Sequence, residues 1–263
     1  MTSPEILLTQ DDGVATLTLN RPDARNAWSE AMIPAMIQAL DEAEADPQVR
    51  VVILTGAGKS FCAGGDLRAM RERSGMFEGD TVGLRQQYMR GLQQITRRMD
   101  FFEKPIIAAI NGAAVGAGLD LALMCDIRVA SDRAKLGSTF AAVGLIPGDG
   151  GAYLLTRTVG FARAVELILT ARLVQGEEAL SLNLVHEIVP PQDVLTRARG
   201  LADVIKAHPA SAIKMAKAAL YRCYNQDLET ALQLTAAFQS ITQHTDDHIE
   251  AVERMLQKIT SRG

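Results

Sequence analysis

The chain has 263 residues, 48% of them in the apolar AVILMFWYC set, with 27 Lys and Arg against 31 Asp and Glu and a formal net charge of −4. Such a composition excludes a disordered chain, which is poor in apolar residues and strongly charged. The near-balanced charge, with no Lys/Arg run, leaves no electrostatic footprint for nucleic acid, and at about 150 residues per domain the length fits one large domain or one and a half.

In chain order, residues 5–10 (EILLTQ) and 14–20 (VATLTLN) are β-prone runs joined by Asp11-Asp12-Gly13, a hairpin signal. Ser29 is placed to cap a helix with Met32, Ile33, Met36, Ile37 and Leu40 on one face; Pro34 unsettles its first turn, and it should stop near Asp46-Pro47. Residues 50–55 (RVVILT) form an apolar run without alternation, the pattern of a parallel strand buried on both faces. A long amphipathic stretch (84–99) precedes a second such run, 106–110 (IIAAI). A Gly-spaced turn (111–118), an apolar helix (119–124) and a short strand (127–130) follow. Strands alternating with helices argue for an α/β fold. From about Phe161 the pattern is helical, interrupted by one strand (184–189), and Pro190-Pro191 sets off a helical C-terminal segment. No internal repeat is visible in the sequence.

Several chemical signatures fail on inspection. Gly58-Lys59-Ser60 looks like the end of a phosphate-binding loop, but that motif needs glycine where this chain has Ile53, so a solvated turn is the better reading. No GxGxxG follows a strand and no GxSxG occurs. His244 and His248 lie four apart, yet a zinc site needs more ligands, and no metal is expected. Cys62, Cys125 and Cys223 are far apart and outside any CxxC, which reads as buried thiols of a reducing compartment. The longest uncharged stretch (105–119) is broken by Pro, Asn and Gly, so no membrane span is expected. The opening MTSPEILLTQ lacks the regions of a signal peptide, and the expectation is a soluble cytoplasmic protein.

Two Gly-rich turns remain, each after a buried strand: FCAGGDL (61–67) and NGAAVGAGLD (111–120). Small residues let a ligand approach the backbone, and a helix N-terminus offers unpaired amides. Two such amides converging on one point would form an oxyanion hole. The other reading, tight turns and close packing alone, fits the composition equally.

These turns carry a resemblance. NRPDARNAW (20–28), FCAGGDL (61–67), KPIIAAINGAAVGAGLDLALMCDIRVAS (104–131), GLIPGDGG (144–151), GEEALSLNLVHEIVP (176–190) and TDDHIEAV (245–252) are similar, in order and spacing, to the crotonase (enoyl-CoA hydratase/isomerase) superfamily. The resemblance implies a spiral of ββα turns over 1–192 and a helical segment, 193–263, that packs between subunits of a homotrimer or a dimer of trimers. It implies an acyl-CoA thioester as substrate, with coenzyme A arriving as part of that substrate and no permanently bound cofactor. The thioester oxygen would sit between the amides of Gly65 and Ala117, where charge grows as an enolate forms. Asp23, Ala24 and Arg25, together with Ala63, Gly64, Gly65, Asp66 and Leu67, would hold the CoA largely through backbone. Arg25 and Lys59 would neighbour its phosphates, and Lys258 a neighbouring subunit's CoA, unless these are ordinary surface charges.

The chain departs from the family at the chemistry. Where hydratases carry two glutamates it has Asp120 and Phe140, and a phenyl ring neither activates water nor gives up a proton. Asp149 lies one residue beyond a third family position, which is Gly148 here. Asp120 is the candidate acid/base, raised in pKa by an apolar pocket; the alternative is a helix-dipole partner. Asp149 either assists or forms a turn, and Phe140 would line the acyl pocket and exclude water. The expected function is that of a 2-enoyl-CoA hydratase/isomerase. The alternatives are another reaction of the same fold (isomerisation only, thioester hydrolysis or C–C cleavage) and a non-catalytic acyl-CoA-binding homologue, which Phe140 keeps open.

Overall fold

The computed structural model describes residues 4–261. Strands β1 (Ile6–Asp11) and β2 (Val14–Leu19) pair antiparallel across a tight turn in which Asp12 and Gly13 both have positive φ, 42° and 74°, the geometry an Asp-Gly hairpin favours. Helix α1 (Met32–Ala45) begins where Ser29 Oγ accepts the Met32 amide at 3.2 Å. Pro34 is accommodated because first-turn amides need no helical partner. The helix buries Met32, Ile33, Met36 and Leu40 and stops before Asp46-Pro47.

Strand β3 (Val51–Gly56) is buried at every position and runs parallel to β2 and to β5 (Ile106–Ile110). One sheet face packs on α1 and the other on α9 (Val194–Lys206), whose Val194, Ala198 and Ala202 meet Val51, Ile53, Ile107 and Val129. That double cover explains the unbroken apolar run, since each fully enclosed Val or Ile contributes about 2 kcal/mol of burial on either side. Although α9 follows the Pro190-Pro191 break, its side chains complete the core.

Between the long strands lie elements too short to read in the sequence. Strand β4 (Ser60–Cys62) is followed by α2 (Leu67–Glu72), and β6 (Ala113–Val115) by α5 (Ala117–Leu123). Strand β7 (Ile127–Ser131) leads to β8 (Leu136–Gly137) and then to α6 (Gly151–Val159). Strands β4, β6 and β8 form a second, parallel, three-stranded sheet, while the first sheet has the order β1-β2-β3-β5-β7-β9, with β9 at Glu187–Val189. The chain therefore repeats β3–β4–α2, β5–β6–α5 and β7–β8–α6, a spiral of ββα turns with no counterpart repeat in the sequence.

Four expectations are corrected. Ser60 opens a strand rather than completing a solvated turn. The Gly-spaced segment 111–118 contains β6 and the start of α5. The stretch 84–99 is two helices, α3 (Thr81–Arg90) and α4 (Leu92–Asp100), broken at Gly91, where φ −108° and ψ −111° leave helical space. Cys223 is half-buried, unlike Cys62 and Cys125, and all three are free thiols. Helices α7 (Phe161–Thr170) and α8 (Gly176–Ser181) precede β9, and α10 (Ala210–Cys223), α11 (Leu228–Gln243) and α12 (Asp246–Thr260) follow α9, packing mainly on one another. Among the described residues no helix is long and apolar enough to cross a membrane.

Candidate active site

The ends of β4 and β6 meet at two glycines. Gly64 has φ +84° and Gly116 φ +55° with ψ −127°, backbone that disfavours any side chain. A Cβ built on Gly64 would lie 2.6 Å from Val115 O and 3.3 Å from Ala117 N, so the two loops touch there. The first turn of α5 is pressed onto β4, since a Cβ on Gly118 would fall 2.1 Å from Cys62 O. Among the described residues neither the Gly65 amide nor the Ala117 amide meets an acceptor. Ala117 is the first residue of α5, where amides are left without helical partners and carry the positive end of the helix dipole.

The segment 20–28 wraps the outside of β4. Ala63 N–H donates to Arg25 O at 3.0 Å and Trp28 N–H to Gly64 O at 2.8 Å. Asp66 caps α2 by accepting the amides of Arg68 and Ala69. Exposed Asp23, Arg25 and Leu67, with half-buried Ala24, Ala63 and Asp66, thereby gather on one rim beside Gly65. Lys59 is exposed in the turn before β4, and Lys258 is exposed in the last turn of α12.

Asp120 and Asp149 come together on the inner side, only 1% and 4% exposed. Asp120 leaves the first turn of α5 and abuts the N-terminus of α6: a Cβ on Gly151 would lie 2.2 Å from both of its carboxyl oxygens. No donor reaches either oxygen of Asp120, or Oδ1 of Asp149, in hydrogen-bonding geometry. Burial, the charge of Asp149 and a hydrogen bond to Asp149 raise the Asp120 carboxyl well above its ordinary range, against a smaller pull from the Gly151 amide. Burial also raises Asp149, while the hydrogen bond with Asp120 holds it back. Two ionised carboxylates have no donor between them, so the pair is satisfied only when one carries a proton and donates it to the other. A single proton held between the two would satisfy both.

Helix α4 fixes this pair from behind. Thr96 Oγ1 donates to Asp149 O, and Gln93 Nε2 to Gly148 O at 2.8 Å. Tyr88 on α3 stands against Gly148, its phenol raised by burial and by the charge of Asp149. Tyr88, Gln93 and Thr96 escaped sequence reasoning because they lie within an ordinary amphipathic pattern. Phe140 belongs to a short 3-10 turn (Thr139–Val143), and its Cζ would lie 3.9 Å from a Cβ on Gly116. A cleft of about 540 Å³, lined by Arg85, Tyr88, Met89, Gln93, Leu145, Ile146 and Gly148, opens against the loop that carries Asp149. A buried pair of carboxyls with raised pKa values near two free amides can give and take protons beside an accumulating negative charge.

The sequence model of the family described as enoyl-CoA hydratase/isomerase matches residues 9–261. The short-chain-enoyl-CoA hydratase of Clostridium acetobutylicum is 36% identical, over 98% of this chain and 97% of its own. The 1,2-epoxyphenylacetyl-CoA isomerase of Escherichia coli is 34% identical over 96% and 95%. The crystal structure of enoyl-CoA hydratase from Bacillus anthracis superposes with a TM-score of 0.90 at 32% identity, covering 97% of this chain and 96% of that one. The α/β spiral with trailing helices is thus the crotonase fold, and the chain belongs to the enoyl-CoA hydratase/isomerase family of enzymes.

Proposed function

We propose that the protein acts on 2-enoyl-CoA thioesters by moving a proton along the acyl chain, with Asp120 and Asp149 as the acid/base pair. The observation that carries this reading is the burial of two carboxyls whose free oxygens no donor reaches in hydrogen-bonding geometry. The rim formed by residues 23–25 and 63–67 takes the CoA, and the Gly65 and Ala117 amides take the thioester oxygen. The ionised carboxylate removes a Cγ proton, the electron pair moves through the double bond, and negative charge settles on that oxygen. The protonated carboxyl then delivers its proton to Cα, which leaves the double bond displaced and the pair again holding one proton. Each amide at the oxygen contributes about 3 kcal/mol to the transition state. Phe140, beside Gly116, stands where a second glutamate would handle water, which favours isomerisation over hydration.

Hydration is the second reading, supported by the relatives named as hydratases; there the ionised carboxylate takes its proton from water adding at Cβ. A series of 2-enoyl-CoA substrates turned over in heavy water and in ¹⁸O-labelled water separates the two. The expected result is deuterium at Cα and Cγ, a displaced double bond and no ¹⁸O. Incorporated ¹⁸O would replace isomerisation by hydration, and tight CoA binding with no turnover on a broad thioester panel would make the chain a binding protein. Assembly as a homotrimer or dimer of trimers through 193–263 belongs to the same proposal. It is supported by exposed Leu220, Leu228, Leu232, Ile249, Leu256 and Ile259 on α10–α12.

A further inference from the structure

The Asn26 side chain reaches none of the groups assigned above, yet the residue is fully buried and holds the left-handed conformation, φ 57°. Its side chain is saturated. Oδ1 accepts the Arg21 amide at 2.9 Å, and Nδ2 donates to Ala57 O at 2.9 Å and to Ser60 O at 2.8 Å. The amide nitrogen passes so close to Gly56 that a Cβ there would fall 2.7 Å from it. The two carbonyls it grips bracket the entry to β4. The backbone of Asn26 continues the clamp, because its carbonyl accepts the Cys62 thiol at 3.1 Å. Burial, and to a lesser extent the charge of Asp149, push that thiol up to about 12, so it remains a donor. The flanking bonds, Ala63 N–H to Arg25 O and Trp28 N–H to Gly64 O, complete a ladder along 62–64.

Two left-handed residues in succession, Arg25 and Asn26, let segment 25–28 run beside the strand end in this way. The nearest neighbours of a Cβ built on Gly65 are the Met70 and Phe77 side chains. Its amide follows directly on the backbone from Ser60 to Gly64, whose course these bonds hold. We propose that Asn26 is a positioning residue for the Gly65 amide: its side chain holds Ala57 and Ser60 at the entry to β4 and its carbonyl holds Cys62, so that the strand end presents this amide to the thioester oxygen. The inference rests on the oxyanion reading above and adds to it a residue remote from the substrate.

The test uses the full chain with a ¹³C-carbonyl acyl-CoA, following the carbonyl stretch of the bound thioester by difference infrared spectroscopy. Asn26→Asp keeps the acceptor for Arg21 and turns both donations into repulsions, and Asn26→Gly keeps the left-handed backbone while deleting the side chain. The expected outcome in at least one folded variant is loss of most of the carbonyl downshift. With it, kcat should fall about 10²-fold, the effect of losing one oxyanion donor, while KM moves by less than about threefold, because most of the lost stabilisation is realised as charge develops in the transition state. An unchanged downshift and kcat in a folded variant would overturn the positioning role and leave the proposed function standing. A wild-type complex with no downshift would overturn the oxyanion reading itself. Failure of both variants to fold would make Asn26 a stability residue and end the proposal.

Discussion

The carboxyl of Asp120 is buried without a donor other than its partner, so ionising it is harder in the folded chain than in the unfolded one. Its folded pKa is raised, hence the native state binds more protons than the unfolded state across the window between the ordinary carboxylate value and the raised one. Stability must fall as pH climbs through that window. Asp120→Asn preserves shape and removes the titration, so activity and stability should separate: turnover drops by about 10²- to 10⁴-fold, while the melting temperature at neutral pH rises and its decline with pH flattens. Melting curves across the pH range, beside kcat, measure both; a variant whose stability tracks the wild type throughout would mean that Asp120 does not titrate there. The same position shows what the sequence could say about the site. Asp120 stands out by its place after the Gly-rich turn and Asp149 by lying in GLIPGDGG, but their meeting in one buried site is a property of the fold. No spacing rule reveals that the first turn of α5 points at the start of α6.

At the scale of elements, the carboxyl pair depends on how closely α6 approaches α5. Gly151 opens α6 directly over the Asp120 carboxyl, and a single methyl there would overlap both oxygens at 2.2 Å. Gly151→Ala is expected to leave the protein folded, since alanine suits the helix better by up to about 1 kcal/mol, yet to turn Asp120 aside and cut kcat at least tenfold. Activity with circular dichroism checks this, and full activity would show that the carboxyl has room to spare. Elements that build the core were legible because β3 and β5 are long, unalternating apolar runs. Those that build the site were not: β4, β6 and β8 have three, three and two residues, too few for any period to register. The break at Gly91 was hidden for another reason, because the apolar positions 84, 88, 92, 95 and 99 keep helical spacing across it. It separates α3, which carries Tyr88, from α4, which carries Gln93 and Thr96, so both helices reach the loop holding Asp149.

Across the whole molecule, the sheet core is sealed by α9, whereas α10–α12 contain no buried residue. Their attachment therefore leans on polar anchors, and the best enclosed is Asp126 at the start of β7. Its carboxylate accepts Ile106 N–H at 2.7 Å from the core, and Lys217 Nζ at 2.8 Å and Tyr221 Oη at 2.7 Å from α10. Lys217 also donates to Lys104 O at 2.9 Å and sits 5.7 Å over the Phe102 ring, with only 11% of its side chain exposed. Lys217→Met keeps the stem and deletes the charge, leaving Asp126 underpaired and Lys104 O without its donor. Hydrogen bonds to charged groups contribute about 1.5–3 kcal/mol each, which is large for helices with so little of their surface enclosed. Because the loss falls on α10 and not on the sheet, the expected outcome is local. Proteolysis should accelerate in the 207–209 link, exchange of α10–α12 amides should quicken while β3 and β5 stay protected, and any assembly through these helices should weaken. Unchanged cleavage and exchange would show that apolar contact with another copy, rather than the Asp126 anchor, holds these helices in place.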